Sequence, residues 1–265
     1  MVYSRQGEIM DLYDRVVERN SRLMMSLSIG ADSLAMFLHV IESGRFDMTD
    51  GVYFYYWFLP GVPWVEDYID YFEDRYSVKI IQLPNPIFVE DQARAFLKTP
   101  LTAAATMKLQ ATKYAYQKND KKFLEKIVKI NQGMPDKTLT AVGIKPGDSA
   151  MRRMQLRKNE GYAPNQLHWY PLWEFENRDA IALIKRHGLK MPADYDLFGI
   201  SFENLDYRFA KPIKDNCPVT WDLMKEWYSQ IEMSVARNER YHPEWPAKKG
   251  VMHGKFETLT ERRAK

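Results

Sequence analysis

Cysteine is nearly absent: Cys217 is the one thiol in 265 residues. A lone thiol closes no intramolecular disulfide, and it cannot supply the four thiolates of an iron–sulfur cluster or of a four-cysteine zinc site. The count fits a reducing, cytoplasmic setting. Long apolar runs are missing too, since none approaches the roughly 20 residues that span a bilayer. The first residues are studded with charge and lack the apolar centre of a signal peptide, so no membrane partner and no export route is expected. Charge of one sign is also scarce. The net value is +3, and residues 242–265 account for it with six basic and three acidic side chains. The preceding 241 residues are balanced, which argues against a dedicated duplex-DNA face and leaves no clear nucleic-acid site. What remains is ordinary globular composition, 45% apolar and 28% charged, in a chain long enough for one large α/β domain with an appendage.

Hydrophobic spacing predicts a helix over 7–20, a buried strand over 22–29, and a helix from Asp32 to a C-cap at Gly44. A β-rich run covers 51–58, a helix opens at Pro63 and runs to Tyr76, and a further strand spans 78–83. Residues 103–131 read as one broken helix or two. A fourth strand covers 138–144, with helices expected over 149–158, 176–187 and 218–240. Alternation of this kind predicts a parallel, Rossmann-like sheet with helices on both faces. The expected division is a nucleotide-binding α/β domain over 1–165, a helical C-terminal extension over 166–241, and a basic tail over 242–265.

The stretch most informative about chemistry is Ser26-Leu27-Ser28-Ile29-Gly30-Ala31-Asp32-Ser33, where an apolar strand turns into a helix. Gly30 lets a ligand approach the backbone, the N–H groups of the new helix point into the turn, and Ser28 and Ser33 add hydroxyls. That is an anion cradle, although the Walker pattern GxxxxGK[ST] is missing. The local pattern is also that of a helix start with Asp32 or Ser33 as N-cap and nothing bound. Downstream, Lys145, Arg152, Arg153 and Arg157 cluster after the fourth strand. Two of these, Arg153 and Arg157, read equally as a solvated helix face. The five histidines show no HxxxH or HxH spacing, and no catalytic histidine is expected.

The segment Ser28–Ser33 resembles the PP-loop, SxGxDS, of the ATP pyrophosphatase superfamily. With Ile29 where a second glycine is usual, it is most similar to the branch containing the ATP sulfurylase small subunit and phosphoadenylylsulfate (PAPS) reductase. Residues Val142–Arg152 resemble that branch's G-x-R-x-x-E-S-x-x-R element, with Lys145 for Arg and Asp148 for Glu. Leu59–Glu66 resembles its G-x-x-F/W-P-E region, and Trp169–Trp173 its P-L-x-x-W block. Residues 207–232 look like PAPS-reductase-like proteins of phages and mobile elements.

The resemblance implies an adenine nucleotide α-hydrolase fold with ATP and Mg²⁺ as ligands. It implies nucleotide or phosphate contacts from Ser28, Ile29, Gly30, Ala31, Asp32, Ser33, Gly143, Lys145, Ser149, Arg152 and Arg153. Catalytic roles fall to Asp32, Lys145 and Arg152, and Asp32 is the candidate Mg²⁺ ligand. The departures are equally specific. The reductase motif E-C-G-L-H is absent, and Cys217 in Asp215-Asn-Cys-Pro-Val reads as a small buried residue. Tyr55, Tyr56 and Trp57 stand where many relatives place an acidic residue. Three readings follow: an enzyme adenylating an unidentified second substrate, a PAPS-reductase-like enzyme, and a non-catalytic nucleotide-binding module acting through a protein partner. A homodimer is also open, with the aromatics of 53–72 as an expected exposed face.

Overall fold

The computed structural model describes residues 11–85, 121–202, 205–228 and 230–241. Expectations for 1–10, 103–120 and the basic tail 242–265 fall outside the described residues. The chain forms two compact units. Residues up to 55, 73–81 and 125–190 make the first, and 56–72, 82–124 and 191 onward make the second.

The first unit carries most of an α/β sheet. Helix α1 (Leu12–Val17) starts where the Asp11 carboxylate accepts from the Asp14 N–H at 2.8 Å. Asn20 then ties the chain down: its Nδ2 donates to the Leu139 carbonyl and its Oδ1 accepts from the Leu139 N–H, both at 2.9 Å. Strand β1 (Met24–Leu27) follows, then α2 (Ala31–Ser43), which ends at Gly44 in the left-handed conformation, φ +60°. The next elements are β2 (Val52–Trp57), α3 (Pro63–Tyr76), β3 (Ile80–Pro84), α4 (Lys121–Asn131) and β4 (Thr140–Val142). Helix α5 (Ala150–Asn159) precedes two short strands, β5 (Tyr162–Ala163) and β6 (His168–Trp169), and α6 (Asn177–Arg186) packs along α2.

The sheet order is β3-β2-β1-β4-β6-β5. Strand β1 pairs in parallel with β2 and β4, β4 pairs in parallel with β6, and only β5 runs antiparallel to its neighbour. Successive β2 residues point to opposite faces, yet Val52, Tyr53, Phe54 and Tyr55 are all buried. Both faces of the sheet are therefore covered, the pattern of a parallel α/β sheet. The α/β, Rossmann-like expectation holds.

Three expectations need correction. Strands do not stop at 165, because β6 lies at His168–Trp169; two residues are too few to show a period. The helix expected over 218–240 is two, Pro218–Trp227 and Ile231–Tyr241, since Tyr228 leaves the helical region at φ −127°, ψ 83°. The aromatics of 53–72 offer no exposed face: Tyr53, Phe54, Tyr55, Tyr56, Trp57, Trp64, Tyr68 and Phe72 are buried.

The second unit holds α7 (Asp194–Phe198), α8 (Tyr207–Asn216), α9 (Pro218–Trp227) and α10 (Ile231–Tyr241). Among the described residues no helix is long and apolar enough to cross a membrane.

Candidate phosphate-binding site

Sheet order locates the site before any side chain is considered. From β1 the chain steps outward to β2 and β3, and then returns to the other side of β1 with β4. The direction of winding thus reverses between β1 and β4. In open α/β sheets ligands settle at such a reversal, beyond the carboxyl ends of the strands. Two loops leave there: Ser28–Gly30 after β1 and Gly143–Ser149 after β4.

The first loop is tightly held. The Ser33 hydroxyl donates to the Gly30 carbonyl at 3.0 Å and accepts from the Ser28 N–H and the Ser28 hydroxyl, each at 3.1 Å. These two serines shape the loop by binding each other. Ile29 is buried at φ +49°, a left-handed conformation that disfavours β-branched residues by about 1–2 kcal/mol. A glycine is the usual occupant of such a position. Helix α2 has Gly30 as its N-cap and no side-chain cap. Capping by Asp32 or Ser33 is therefore not what the sequence builds. Other helices of the chain do recruit a carboxylate or hydroxyl: Asp11 for α1, Ser149 for α5 and Asp206 for α8. Ser149, expected at a phosphate, accepts instead from the Arg152 N–H at 3.2 Å.

The second loop presses against the first. A Cβ at Gly143 would lie 2.9 Å from the Ser33 Cα and 3.0 Å from the Asp32 carbonyl carbon and oxygen. All three are backbone atoms, so the helix start would have to move. Gly143→Ala is expected to cost about 1–3 kcal/mol by overpacking. Chemical unfolding reads the loss, and the same displacement weakens any ligand held by the α2 N-terminus.

Charged groups meet across the two loops. Lys145 Nζ, its side chain 8% exposed, donates to Asp32 Oδ2 and, at 3.0 Å, to Asp148 Oδ1. Asp148 Oδ2 accepts from Arg152 Nη1 at 3.0 Å. Burial would lower the Lys145 pKa, but hydrogen bonds and charge from Asp32 and Asp148 outweigh it, leaving the ammonium above its ordinary range. Burial likewise opposes ionisation of Asp148, yet Lys145 and Arg152 hold its carboxyl below the usual value. Two carboxylates and two cations make a neutral chain.

The structure thus brings Ser28–Ser33, Gly143, Lys145 and Arg152 together at the strand ends. Asp148, unremarked in the sequence beyond standing for a glutamate, is the residue that links both cations. Arg153, with Arg157, lines a cavity that also takes in Pro146 and Gly147 of the second loop. Cys217 is buried, and burial pushes its thiol up to about 11, which suits a packed residue and not a nucleophile. Among the described residues no group of three or more His, Cys, Asp or Glu side chains is arranged to hold a metal ion.

No protein-family model matches the chain, and no curated protein sequence matches it. Among solved structures it is similar to the U34-tRNA thiolase NcsA from Methanococcus maripaludis, determined with its [4Fe-4S] cluster. That likeness has 14% sequence identity and a TM-score of 0.39, over 88% of this chain and 76% of the other.

Proposed function

We propose that this chain is a PP-loop nucleotide-binding enzyme that splits ATP between the α- and β-phosphates and passes the adenylyl group to an acceptor oxygen. The observation that carries this reading is the meeting of an uncapped helix start, Gly30–Ser33, with the buried Lys145 at the sheet's reversal point. The N–H groups of the first turn and the helix dipole favour a polyanion, and the Lys145 ammonium stands at the same place, held there by Asp32 and Asp148. The PP-loop resemblance supplies the nucleotide. The PAPS-reductase-like alternative gains nothing from Cys217.

In the reaction, an acceptor oxygen forms a bond to the α-phosphorus while the bond from that phosphorus to the bridging oxygen breaks. The electron pair leaves with pyrophosphate. An acceptor already ionised at the attacking oxygen needs no base, so the protein's contribution is orientation and charge. The first turn of α2 holds the β- and γ-phosphates as the leaving group, and Lys145 and Arg152 offset the charge that builds on them.

The residues fit Mg²⁺ in the way small hard cations are usually held, through one or two carboxylates and phosphate oxygens. Mg²⁺ at Asp32 would neutralise phosphate charge and order the triphosphate. Because Asp32 and Asp148 cancel Lys145 and Arg152, the protein alone offers a triphosphate no net positive charge. A cation held by Asp32 would offset that carboxylate, so that the charge of Lys145 would be available to the phosphates.

Isothermal titration with ATP tests this. Wild type is expected to bind ATP with Mg²⁺, and Gly30→Trp to lose at least about tenfold in affinity by filling the loop. Asp32→Asn is expected to erase most of the gain that Mg²⁺ gives, while pyrophosphate is released about a hundredfold more slowly. ATP binding that is absent in wild type, or equal in Gly30→Trp, rejects the site.

A further inference from the structure

Helix α5 divides its arginines between two places. Arg152 turns to Asp148, but Arg153 and Arg157 line a cavity of about 770 Å³ together with Trp173, Glu174, Phe175 and Asn177. Pro146 and Gly147 of the loop after β4 complete its lining on that side of the chain. Small-molecule sites occupy roughly 300–1,000 Å³, so this volume suits an organic ligand and is far larger than a bare oxyanion requires.

The walls specify the chemistry. Arg153 and Arg157 stand one turn apart on α5, and among the described residues neither guanidinium has an ion-pair or hydrogen-bond partner. Two adjacent, unneutralised guanidiniums suit a carboxylate or phosphate, which each can grip through paired N–H donors. The other charged lining residues are largely self-compensated: Arg178 Nε pairs with Glu176 at 3.1 Å, leaving Glu174 as the remaining carboxylate. The net charge of the lining therefore favours an anion, and Arg153 and Arg157 supply its free donors.

The lining also contains rings, Trp173 and Phe175. Trp173 packs on the cluster of Leu156, Ala163 and Tyr170. Behind it sits Gly161 at φ +72°, where a Cβ would come within 2.7 Å of Trp173 Cδ1 and 2.9 Å of the Tyr170 carbonyl oxygen. Only glycine admits the indole this close to the backbone. With its back fixed, Trp173 is half-buried and lines the cavity beside Phe175. A fixed aromatic wall favours a flat ligand surface.

We infer that this cavity is a binding site for an organic anion that carries a flat ring, with its carboxylate or phosphate on Arg153 and Arg157 and its ring against Trp173 and Phe175. Binding here does not depend on the phosphate loop. Its use as the acceptor's seat rests on the adenylation reading above.

The probes are 1-naphthyl phosphate and inorganic phosphate, titrated calorimetrically into wild type, Arg153→Ala/Arg157→Ala and Trp173→Leu. Wild type is expected to bind 1-naphthyl phosphate at least about tenfold more tightly than inorganic phosphate. The double variant loses about tenfold or more for the naphthyl compound, consistent with removing charge-assisted hydrogen bonds. Trp173→Leu removes the preference for the ring and leaves inorganic phosphate unchanged. ATP with Mg²⁺ is titrated separately, and its affinity is expected to stay the same in the double variant. Undetectable binding of 1-naphthyl phosphate overturns the site, as does equal affinity in the double variant. Loss of ATP binding in the double variant also overturns it, by making the cavity part of the nucleotide site. If ATP fails to bind wild type while 1-naphthyl phosphate behaves as described, the phosphate-loop reading falls and this one stands.

Discussion

Lys145→Met is expected to lower stability by about 3 kcal/mol and to weaken ATP binding by at least tenfold. The stability loss comes from what remains: Asp32 and Asp148 face each other without the ammonium that both now share, and Asp148 is only 17% exposed. Removing one partner of a buried ion pair characteristically costs about 3–5 kcal/mol, because the other charge is left uncompensated. Partial exposure of Asp32 puts this case at the low end. The binding loss has a different origin, the removal of a charge-assisted donor to phosphate, about 1.5–3 kcal/mol. The two are separated by adding Asp148→Asn. Lys145→Met/Asp148→Asn should recover stability to within about 1 kcal/mol, since the repulsion is gone, yet recover none of the affinity. Recovery of both would make Lys145 a purely structural residue. Asp148 adds a dependence on pH. Its carboxyl is held below its ordinary 3.8, so its contribution is present in full above about pH 4 and is lost as pH falls through the lower, folded value.

The neutral Asp32–Lys145–Asp148–Arg152 chain also explains why the site was only half legible in the sequence. The loop could be found because a strand, a glycine and a helix start adjoin one another in order, and because SxGxDS is a compact pattern. Lys145 and Arg152 were found by the later motif, 113 residues from Asp32 in the case of Lys145. What no spacing disclosed is that Asp148 would engage both cations, or that Ser28 and Ser33 would spend their hydroxyls on each other. Those are consequences of β1 and β4 lying side by side, which the alternation of strands and helices predicts only as a class of sheet. Arg153 parts from Arg152 for a related reason. Adjacent residues on a helix point about 100° apart, so Arg152 turns to Asp148 while Arg153 lines the cavity, and a motif that ends on the first says nothing of the second.

The fold was legible in most of its longer elements, with α8 (Tyr207–Asn216) the exception. Helix α3 begins at Pro63 and ends at Tyr76 as expected, and α2 ends at Gly44 because only a left-handed residue closes it there. The short strands β5 and β6 escaped notice, as did α7, five residues long and lacking a full apolar stripe. Its first residue nevertheless governs a whole aromatic cluster.

That residue, Asp194, is the source of the second large effect expected. Its Oδ1 accepts from the Trp64 indole N–H at 2.6 Å and its Oδ2 from the Phe202 N–H at 2.8 Å. The surroundings are rings: Trp64 lies 6.5 Å from Phe198 and 6.4 Å from Phe202, and Phe209 lies 5.0 Å from Phe198. The carboxyl is 1% exposed, and burial pushes it from 3.8 up to about 6, with the two N–H donors only partly opposing the shift. Among the described residues no cation contributes to holding the charge. A carboxyl raised in the folded state stabilises the fold in its protonated form, and this stability is lost as pH rises from about 4 through 6. Two units correspond to about 3 kcal/mol. Asp194→Asn abolishes the titration and turns an amide N–H₂ toward one of the two donors, a fixed cost of about 1–3 kcal/mol at every pH. Urea unfolding of both proteins from pH 4.5 to pH 8 is therefore expected to show wild type clearly ahead at the acid end. Its advantage then shrinks by roughly 2 kcal/mol, the part of the shift that lies above pH 4.5, and the two converge or cross near neutrality. A pH-independent gap would mean that Asp194 stays ionised throughout. The Trp64 and Phe202 N–H groups would then be sufficient to solvate a buried carboxylate, and the aromatic cluster would owe its geometry to that charge.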